Sequence, residues 1–258
     1  MGVGFHTDAG LVVDVADMEI GDHLPMRSLI LSVLCLVTFT TTVSAQEAVI
    51  LLHGLARTDR SMAKMAAALE AEGFTVLNVD YPSREATVEA LAARVIAGAL
   101  ADPKLKDASR IHFVTHSMGG ILVRQYLKTN RPAHLGRVVM LGPPNQGSEV
   151  VDQIGAWRVF STINGPAGRQ LGTGTESVPN QLGPVDFELG VIAGDRSINW
   201  INSLLIPGPD DGKVSVERTK VAGMQAHRVV HVTHPYLMKN AAVIRETIHF
   251  LRHGQFSP

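Results

Sequence analysis

Residues 111–120 read IHFVTHSMGG, and this stretch decides the fold that we predict for the chain. The apolar run Ile111–Val114 is typical of a buried strand, and Met118–Lys128 repeats apolar side chains at helical spacing. Ser117 therefore falls in a tight turn from a strand into a helix. Such a turn strains the backbone of its central residue, exposes the Oγ atom and points the helix N-terminus at it. Ser117 is accordingly predicted as a nucleophile, and a serine that only caps the helix is the alternative.

The residues beside Ser117 are mostly small, as a crowded turn requires. The usual pattern is Gly-x-Ser-x-Gly. Here Gly119 and Gly120 follow the serine, but Thr115 takes the place of the first glycine. The β-branched side chain is expected to open the turn slightly.

Apolar runs and helical patterns alternate along the rest of the chain. Further strands are predicted at Val49–Leu52, Phe74–Val79, Arg137–Leu141, Asp186–Ala193 and Arg228–Val232, and further helices at Ser61–Glu72, Thr87–Leu100 and Ala241–His253. This alternation indicates a mostly parallel sheet with helices on both faces. Strands that are apolar throughout also fit burial on both sides. We therefore predict an α/β fold.

One stretch, residues 142–184, interrupts the alternation. It is rich in Gly, Pro, Ser, Thr and Asn. A loop of that length in a small domain is usually functional or mobile. We predict that residues 46–258 form a single domain in which 142–184 is a lid-like insertion over the strand ends. Leu171, Val178 and Leu182 are candidates to line that lid.

The first 45 residues differ from the rest of the chain. Residues 26–27 (MR) supply a positive start, Leu29–Phe39 is apolar, and residues 43–45 (VSA) place small side chains where a signal peptidase cuts. A secretory signal peptide that begins at Met26 is predicted, with residues 1–25 as an upstream extension. The apolar run is too short for a comfortable membrane span, and a buried N-terminal helix is the alternative.

The composition of the chain excludes several classes of function. The formal net charge is -1 at pH 7, so no nucleic-acid partner is expected. No glycine motif for a dinucleotide or a phosphate loop is present, and no cofactor is predicted. The single cysteine, Cys35, lies in the predicted signal peptide, so the mature chain 46–258 has neither a disulfide nor a thiolate metal site. A cysteine-free exported chain suits a periplasm or an extracellular space.

A pair of backbone donors is predicted beside the serine. His53-Gly54 follows the first strand directly, and the amide of Leu55 can then point at a carbonyl oxygen. The second donor is predicted to be the amide of Met118, the residue after the serine. His53 itself is expected to pack or to hydrogen-bond locally.

The general base is predicted to be His234. In α/β enzymes with a serine turn of this kind, the acid and then the histidine follow the serine along the chain. His234 follows the predicted strand Arg228–Val232, whereas His231 lies inside that strand and is expected to point into the sheet packing, and His227 precedes it. Surface or core roles are expected for the remaining candidates, His112, His116, His249 and His253.

Three aspartates could orient this histidine. Asp195 follows the predicted fifth strand, and Asp210 and Asp211 lie in the turn-rich segment 207–212. Asp211 is favoured because Gly212 frees the backbone to turn the carboxylate inward. Asp195 and Asp210 stay open as alternatives, and each could instead form a turn.

Together these residues resemble the lipase and esterase branch of the α/β-hydrolase superfamily. More narrowly, His53–Arg57, Asp80–Arg84 and Leu141–Ser148 are similar to segments of bacterial exported hydrolases of the esterase and lipase type, and the similarity extends over 46–258. The Asp-Gly pair at 211–212 resembles the acid motif of bacterial true lipases. Those lipases often carry a structural calcium and a disulfide, but neither is expected here, because no calcium ligand set matches and the mature chain has no cysteine.

The resemblance implies hydrolysis of a carboxylic ester, from a small molecule or a lipid, through an acyl-enzyme intermediate. The same residues would serve a thioesterase, an amidase or an acyltransferase. A hydrolase fold that is kept for binding alone is a further alternative.

Overall fold

Six strands of the protein form one sheet, and each strand runs parallel to its neighbours. The computed structural model describes residues 46–154, 158–198 and 200–258. The predicted signal peptide and the extension before it lie outside the described residues. The strands are β1 (Glu47–Leu52), β2 (Thr75–Val79), β3 (Arg110–His116), β4 (Leu135–Leu141), β5 (Leu189–Gly194) and β6 (Ala226–Val230). Their order across the sheet is β2-β1-β3-β4-β5-β6.

Helices connect these strands. They are α1 (Ala63–Ala71), α2 (Val88–Leu91), α3 (Ala97–Leu100), α4 (Met118–Leu127), α5 (Glu149–Ile154), α6 (Arg158–Arg169), α7 (Val178–Gln181), α8 (Trp200–Leu205) and α9 (Ala241–His253). A π turn, Ala92–Ile96, joins α2 to α3, and 3₁₀ turns lie at Asp59–Met62, Pro103–Leu105, Glu217–Thr219 and His234–Lys239. In the part of the chain that the structure describes, no helix has the length and apolar character that crossing a membrane requires.

Two apolar cores lie on opposite faces of the sheet. Successive side chains of a strand alternate between faces. Accordingly, Ala48, Ile50 and Leu52 belong to one core, and Val49 and Leu51 belong to the other. The first core includes α2, α3 and α4, and the second includes α1 and α9. The predicted α/β fold with helices on both faces is therefore confirmed, and the sheet is wholly rather than mostly parallel.

The last strand lies two residues earlier than predicted, which corrects the placement of two histidines. β6 ends at Val230, so His231 follows the strand, and its side chain is 74% exposed instead of pointing into the sheet. His227 lies within the strand rather than before it, and its Nε2 is 2.9 Å from Thr219 Oγ1. The prediction followed the apolar run, but an edge strand is bounded by its pairing, which ends where Gly194 of β5 meets Val230.

The insertion 142–184 is more regular than its composition indicates, because it contains α5, α6 and α7. Its glycines and prolines hide the helical periodicity, and α6 is kinked at Gly165, where φ is 66° and ψ is -170°. Tertiary hydrogen bonds support these short helices. For example, Gln170 Oε1 accepts from the Val88 N–H at 2.7 Å. The role of this segment as a lid stays a prediction.

A buried arginine ties both ends of the insertion to the helix behind the serine. Arg124 of α4 donates from Nη1 to the Asn145 carbonyl at 2.8 Å and from Nη2 to the Gly183 carbonyl at 2.8 Å. Burial lowers the pKa of Arg124 to about 10. The Asn145 side chain in turn donates to the Thr219 carbonyl at 2.7 Å. These bonds fix the entry and the exit of the insertion close to α4.

The direction in which strands are added reverses between β1 and β3. The chain passes from β1 to β2 on one side, and from β3 through β6 on the other. Ligand sites of open parallel sheets lie at the carboxyl ends of the strands beside such a reversal. Gly54 follows β1 and Ser117 follows β3 at this place.

Candidate active site

Ser117 occupies the turn between β3 and α4 in a backbone conformation that residues other than glycine rarely adopt. Its φ is 54° and its ψ is -124°. The start of α4 approaches β1 so closely that a Cβ on Gly119 would lie 2.8 Å from the Leu52 carbonyl oxygen. Thr115, which stands where glycine is usual, is fully buried. The turn is therefore strained, as its sequence predicts.

The turn after β1 lies against the serine. A Cβ on Gly54 would lie 3.1 Å from Ser117 Cβ and 2.8 Å from His116 Nδ1, so a larger residue would have to displace one of them. Leu55 and Ser117 line the same cavity. Among the described residues, no acceptor bonds the N–H of Leu55 or of Met118. The N–H groups of Leu55 and Met118 are thus not occupied by a backbone acceptor of the described residues.

Ser83 holds this turn in shape from the loop after β2. Ala56 has a φ of 55°, and its N–H donates to Ser83 Oγ at 3.0 Å. Such a left-handed conformation costs a residue with a Cβ roughly 1–2 kcal/mol. The hydrogen bond to Ser83, which is only 4% exposed, offsets that cost. The sequence predicts no role for Ser83, because only the fold brings it to the turn after β1.

His53 has the local structural role that is predicted for it. Its ring stacks on Tyr81, with the centroids 4.1 Å apart and the planes at 12°. Tyr81 donates from its hydroxyl to the His53 carbonyl at 2.6 Å, and His53 donates from Nδ1 to the Gly54 carbonyl at 2.8 Å. Burial lowers the pKa of His53 and raises the pKa of Tyr81. Both rings are therefore neutral, and their stacking and hydrogen bonds fix the backbone of the turn after β1.

His234 and Asp211 form a buried pair beside the serine. His234 Nδ1 is 2.7 Å from Asp211 Oδ2, and the two side chains are 9% and 0% exposed. The other carboxylate oxygen accepts from the amides of Lys213 and Val214 at 3.0 and 2.9 Å. These two hydrogen bonds fix the orientation of the carboxylate. His234 lines the same cavity as Ser117, so the structure brings the predicted serine, histidine and acid together.

The two other candidate acids have partners other than His234. Asp210 Oδ1 accepts from the Gly212 N–H at 2.7 Å and from Ser203 Oγ at 2.9 Å, which is the behaviour of a turn former. Asp195 Oδ1 is 2.9 Å from His231 Nδ1, on the surface. Of the three aspartates, Asp211 is the one in contact with His234.

Two glycines make room for the buried pair. A Cβ on Gly142 would lie 3.0 Å from Asp211 Oδ2 and 3.1 Å from His234 Nδ1. A Cβ on Gly194 would lie 2.9 Å from Asp211 Cβ. Gly142 follows β4 and Gly194 ends β5. Glycine at two neighbouring strand ends is the sequence signal that could have pointed to the place of the acid.

His116 packs against His234, a contact that the sequence does not predict. The ring centroids are 4.7 Å apart, and His116 Nε2 is 3.1 Å from the His234 carbonyl oxygen. Burial and then repulsion by His234 hold the pKa of His116 well below its usual range. The ring is therefore neutral and donates from Nε2, which helps to fix the backbone of His234.

A cavity of about 280 Å³ opens onto Ser117. Its apolar wall consists of Leu55, Ala56, Pro144, Val150, Val151, Leu171 and Val214. Four of these seven belong to the insertion 142–184, so that segment supplies most of the apolar residues of the wall. Of the three residues that are candidates to line a lid, Leu171 lies here, whereas Val178 and Leu182 lie in the apolar core away from this cavity.

A comparison with protein families agrees with this geometry. The family described as "Alpha/beta hydrolase family" matches residues 49–243. The matched range includes the turn after β1, the serine turn, Asp211 and His234. A comparison with curated protein sequences gives no significant match.

Solved structures of lipases and esterases share the fold at low sequence identity. A lipase from Bacillus licheniformis in its mature form is 18% identical, with a TM-score of 0.62 over 83% of this chain and 94% of that one. An esterase from Thermogutta terrifontis is 16% identical, with a TM-score of 0.56 over 82% and 91% of the two chains. An esterase from Pyrococcus furiosus is 19% identical, with a TM-score of 0.54 over 81% and 83%. At these identities the likeness concerns the fold.

Proposed function

The chain belongs to the alpha/beta hydrolase family, and from that membership and the geometry of the site we propose that it is a serine hydrolase that cleaves carboxylic esters. One observation carries the proposal. The strained Ser117 shares a cavity with His234, whose Nδ1 binds the buried carboxylate of Asp211. A nucleophile, a base and an orienting acid are the parts that acyl transfer to serine needs.

In the first half of the proposed reaction, Ser117 Oγ attacks the ester carbonyl carbon and His234 Nε2 takes the serine proton. Asp211 accepts from Nδ1–H, which holds the imidazole in the tautomer that leaves Nε2 free to accept. The same carboxylate stabilises the imidazolium that forms. His234 then returns the proton to the departing alcohol, the ester C–O bond breaks, and the acyl group stays on Ser117.

The amides of Leu55 and Met118 are proposed to bind the oxygen that becomes negative in the tetrahedral intermediate. Both are without an acceptor among the described residues, and the N-terminus of α4 adds a favourable dipole. Loss of one such donor lowers kcat by about 10²–10³-fold in enzymes of this kind. In the second half, His234 removes a proton from water, which attacks the carbonyl carbon of the acyl-enzyme. The bond between that carbon and Ser117 Oγ then breaks, His234 returns the proton to Oγ, and the carboxylic acid is released.

The proposal is tested by Ser117→Ala with 4-nitrophenyl butyrate as the substrate. We expect kcat to fall about 10⁴-fold or more, because the nucleophile is lost. The far-ultraviolet circular dichroism spectrum should match that of the wild type. Ser61→Ala is the matched control, because Ser61 donates to the Thr58 carbonyl outside the cavity. Retained activity in Ser117→Ala would overturn the proposal.

Ester specificity within this class of hydrolase needs a separate comparison. We propose that an oxygen ester is preferred over a thioester and over an anilide of the same acyl group. Butyrate donors of the three kinds compare these leaving groups with the acyl group held constant. A higher kcat/KM for the thioester or the anilide would reassign the chain to thioesterase or amidase activity.

We also propose that the protein is exported. Support comes from the sequence alone: a positive start at 26–27, the apolar run Leu29–Phe39 and small residues at 43–45. Mass spectrometry of the protein isolated from the periplasm or the medium should find Gln46 as its first residue. A protein that keeps Leu29–Phe39 would contradict export by cleavage at this site.

A further inference from the structure

Two cations line the cavity that opens onto Ser117. Arg57 follows the turn that carries the proposed donor Leu55, and Lys213 follows the segment that carries Asp211. Both Arg57 and Lys213 are exposed to solvent. The two charged side chains therefore come from separate loops, and both lie at the solvent-exposed part of the cavity.

Neither cation forms an ion pair within the part of the protein that the structure describes. No carboxylate lies within ion-pair distance of Arg57 or Lys213, and no described residue of the cavity lining is acidic. Two cations that follow Lys213 along the chain do form ion pairs. Arg218 pairs with a glutamate at 2.7 Å and Lys220 with another at 2.6 Å. The lack of an ion-pair partner is thus specific to Arg57 and Lys213 and is not shared by the cations that follow Lys213.

Arg57 and Lys213 line the same cavity, and their like charges repel each other. The protein atoms around the Lys213 amine partly shield it from water, which lowers its pKa; attraction by Asp211 opposes this effect, and repulsion by Arg57 adds to it. Arg57 also borders a second depression whose lining includes Asp80 and Glu85, but it forms an ion pair with neither. A negative charge placed between Arg57 and Lys213 would remove this repulsion.

Apolar and charged groups are separated along the cavity. Val150, Leu171 and Val214 are 2%, 4% and 2% exposed, so the apolar wall is the buried part. Arg57 and Lys213 are the exposed part. The cavity therefore offers a buried apolar wall and, at its exposed part, two positive charges.

We propose that the substrate is an ester with an apolar acyl group and an alcohol portion that carries a carboxylate or a phosphate, held by Arg57 and Lys213. This inference rests on the proposed function. A guanidinium binds either anion through paired hydrogen bonds, and an ammonium adds a point charge. Hydrolysis leaves the anionic group on the departing alcohol unchanged, because only the ester C–O bond breaks and one water molecule is consumed.

Matched esters test the proposal. The anionic ester is the butyrate of 4-hydroxybenzoate, and the neutral one is the butyrate of its methyl ester. For each protein the ratio of kcat/KM for the anionic ester to kcat/KM for the neutral ester is measured, and this ratio is compared with that of the wild type. Arg57→Gln and Lys213→Gln are the test variants. Arg60→Gln is the matched control, because Arg60 is an exposed arginine of the same loop outside the cavity lining.

We expect Arg57→Gln and Lys213→Gln each to lower this ratio roughly three- to tenfold, the range for a charge-assisted contact that is partly exposed. Arg60→Gln should leave the ratio unchanged. About 0.5 M NaCl should weaken the selectivity of the wild type, because salt screens exposed charges. A second pair, butyrylglycerol with and without a 3-phosphate, applies the same ratio to a phosphate such as a lipid headgroup carries. A fall of the ratio in either pair supports the proposal and identifies the anion that is bound.

Equal ratios in the wild type, both cavity variants and the control, for both ester pairs, would overturn the inference. In that case hydrolysis of the neutral ester would still support the proposed function. Failure of the wild type to hydrolyse any of these esters, together with no reaction of Ser117 with a fluorophosphonate, would overturn the proposed function and this inference with it.

Discussion

Two aspartate–histidine pairs link the segment after β5 to the segment after β6, and they differ mainly in their surroundings. Asp211 and His234 lie 2.7 Å apart with side chains that are 0% and 9% exposed. Asp195 and His231 lie 2.9 Å apart with side chains that are 33% and 74% exposed. The distance between the partners therefore does not distinguish the pairs, whereas burial does.

Burial changes what such a pair can do. An exposed ion pair is worth about 0–1 kcal/mol and holds its histidine loosely. In the buried pair, two backbone amides also bind the carboxylate of Asp211, and His116 contacts the carbonyl of His234. The imidazole is thereby held in one orientation next to Ser117, as a general base requires. His231 faces an open basin instead, with Lys64, Arg196 and Lys239 around it.

Replacing the two histidines should give the largest contrast. His234→Gln is expected to lower kcat for 4-nitrophenyl butyrate by about 10⁴–10⁶-fold, because the base is lost. His231→Gln should leave kcat within about twofold of the wild type, as expected for a surface substitution. Steady-state kinetics of the two variants measures both values. A large loss in His231→Gln would reverse our assignment of the two pairs.

The two acids should differ next most strongly. Asp211→Asn keeps the shape of the side chain but removes the charge and favours the wrong imidazole tautomer, so kcat should fall about 10³–10⁴-fold. Asp195→Asn is the matched control and should stay near the wild-type value. If Asp195→Asn is the damaged variant, then Asp195 and not Asp211 is the acid.

The contrast between buried and exposed imidazoles extends to stability. His112 is fully buried, and burial lowers its pKa to about 4, with attraction by Glu47 opposing and repulsion by Arg137 adding to the shift. In the unfolded chain His112 binds a proton near pH 6.5, whereas in the folded chain it does not do so until about pH 4. The stability that neutral His112 contributes is therefore fully present above pH 6.5. As the pH falls toward 4, this contribution to the free energy of unfolding is lost, by up to about 3 kcal/mol.

The variant His112→Asn measures that loss. Asparagine keeps an acceptor for the Arg137 N–H, which donates to His112 Nδ1 at 2.8 Å, but it does not titrate. Urea unfolding should show a shallower fall of the free energy of unfolding between pH 6.5 and 4 than in the wild type. His231→Asn, on the surface, is the control and should keep the slope. Equal slopes for wild type and His112→Asn would contradict the account.

The smallest expected effect concerns Ser83, which binds the turn after β1. Ser83→Ala removes the acceptor that holds Ala56 in its left-handed conformation. We expect kcat to fall about tenfold with little change in KM, because the turn presents the Leu55 amide to the transition state. Ser83→Thr keeps the hydroxyl and should recover most of the activity. A rise in KM with kcat unchanged would show that Ser83 serves substrate binding instead.

The fold and the serine turn could be predicted because their signals are local. A buried strand, a strained serine and a helix that begins at once lie within ten residues, 111–120, and a glycine marks the turn after β1. The prediction of His234 needs only the order of serine, acid and histidine along the chain. The lid-like segment was harder, because Gly165 and its neighbouring proline hide helices that tertiary contacts maintain.

The remaining features depend on contacts between distant residues. From the sequence, Asp211 could be preferred over Asp195 and Asp210 but not assigned, since the assignment depends on which carboxylate the packing turns toward His234. Ser83 is 27 residues from Ala56, and His116 is 118 residues from the carbonyl that it contacts. No local pattern encodes such pairs. The bounds of β6 differ from the predicted ones for the same reason, because its pairing with β5 and not its apolar run sets them.

Labelling with a fluorophosphonate, followed by peptide mass spectrometry, tests the central claim most directly. We predict one adduct on Ser117 in the wild type, formed at least about 100-fold more slowly in His234→Gln, because the base activates the serine. His231→Gln should label as fast as the wild type. An adduct on another residue, or an equal rate of labelling in His234→Gln and the wild type, would contradict the account.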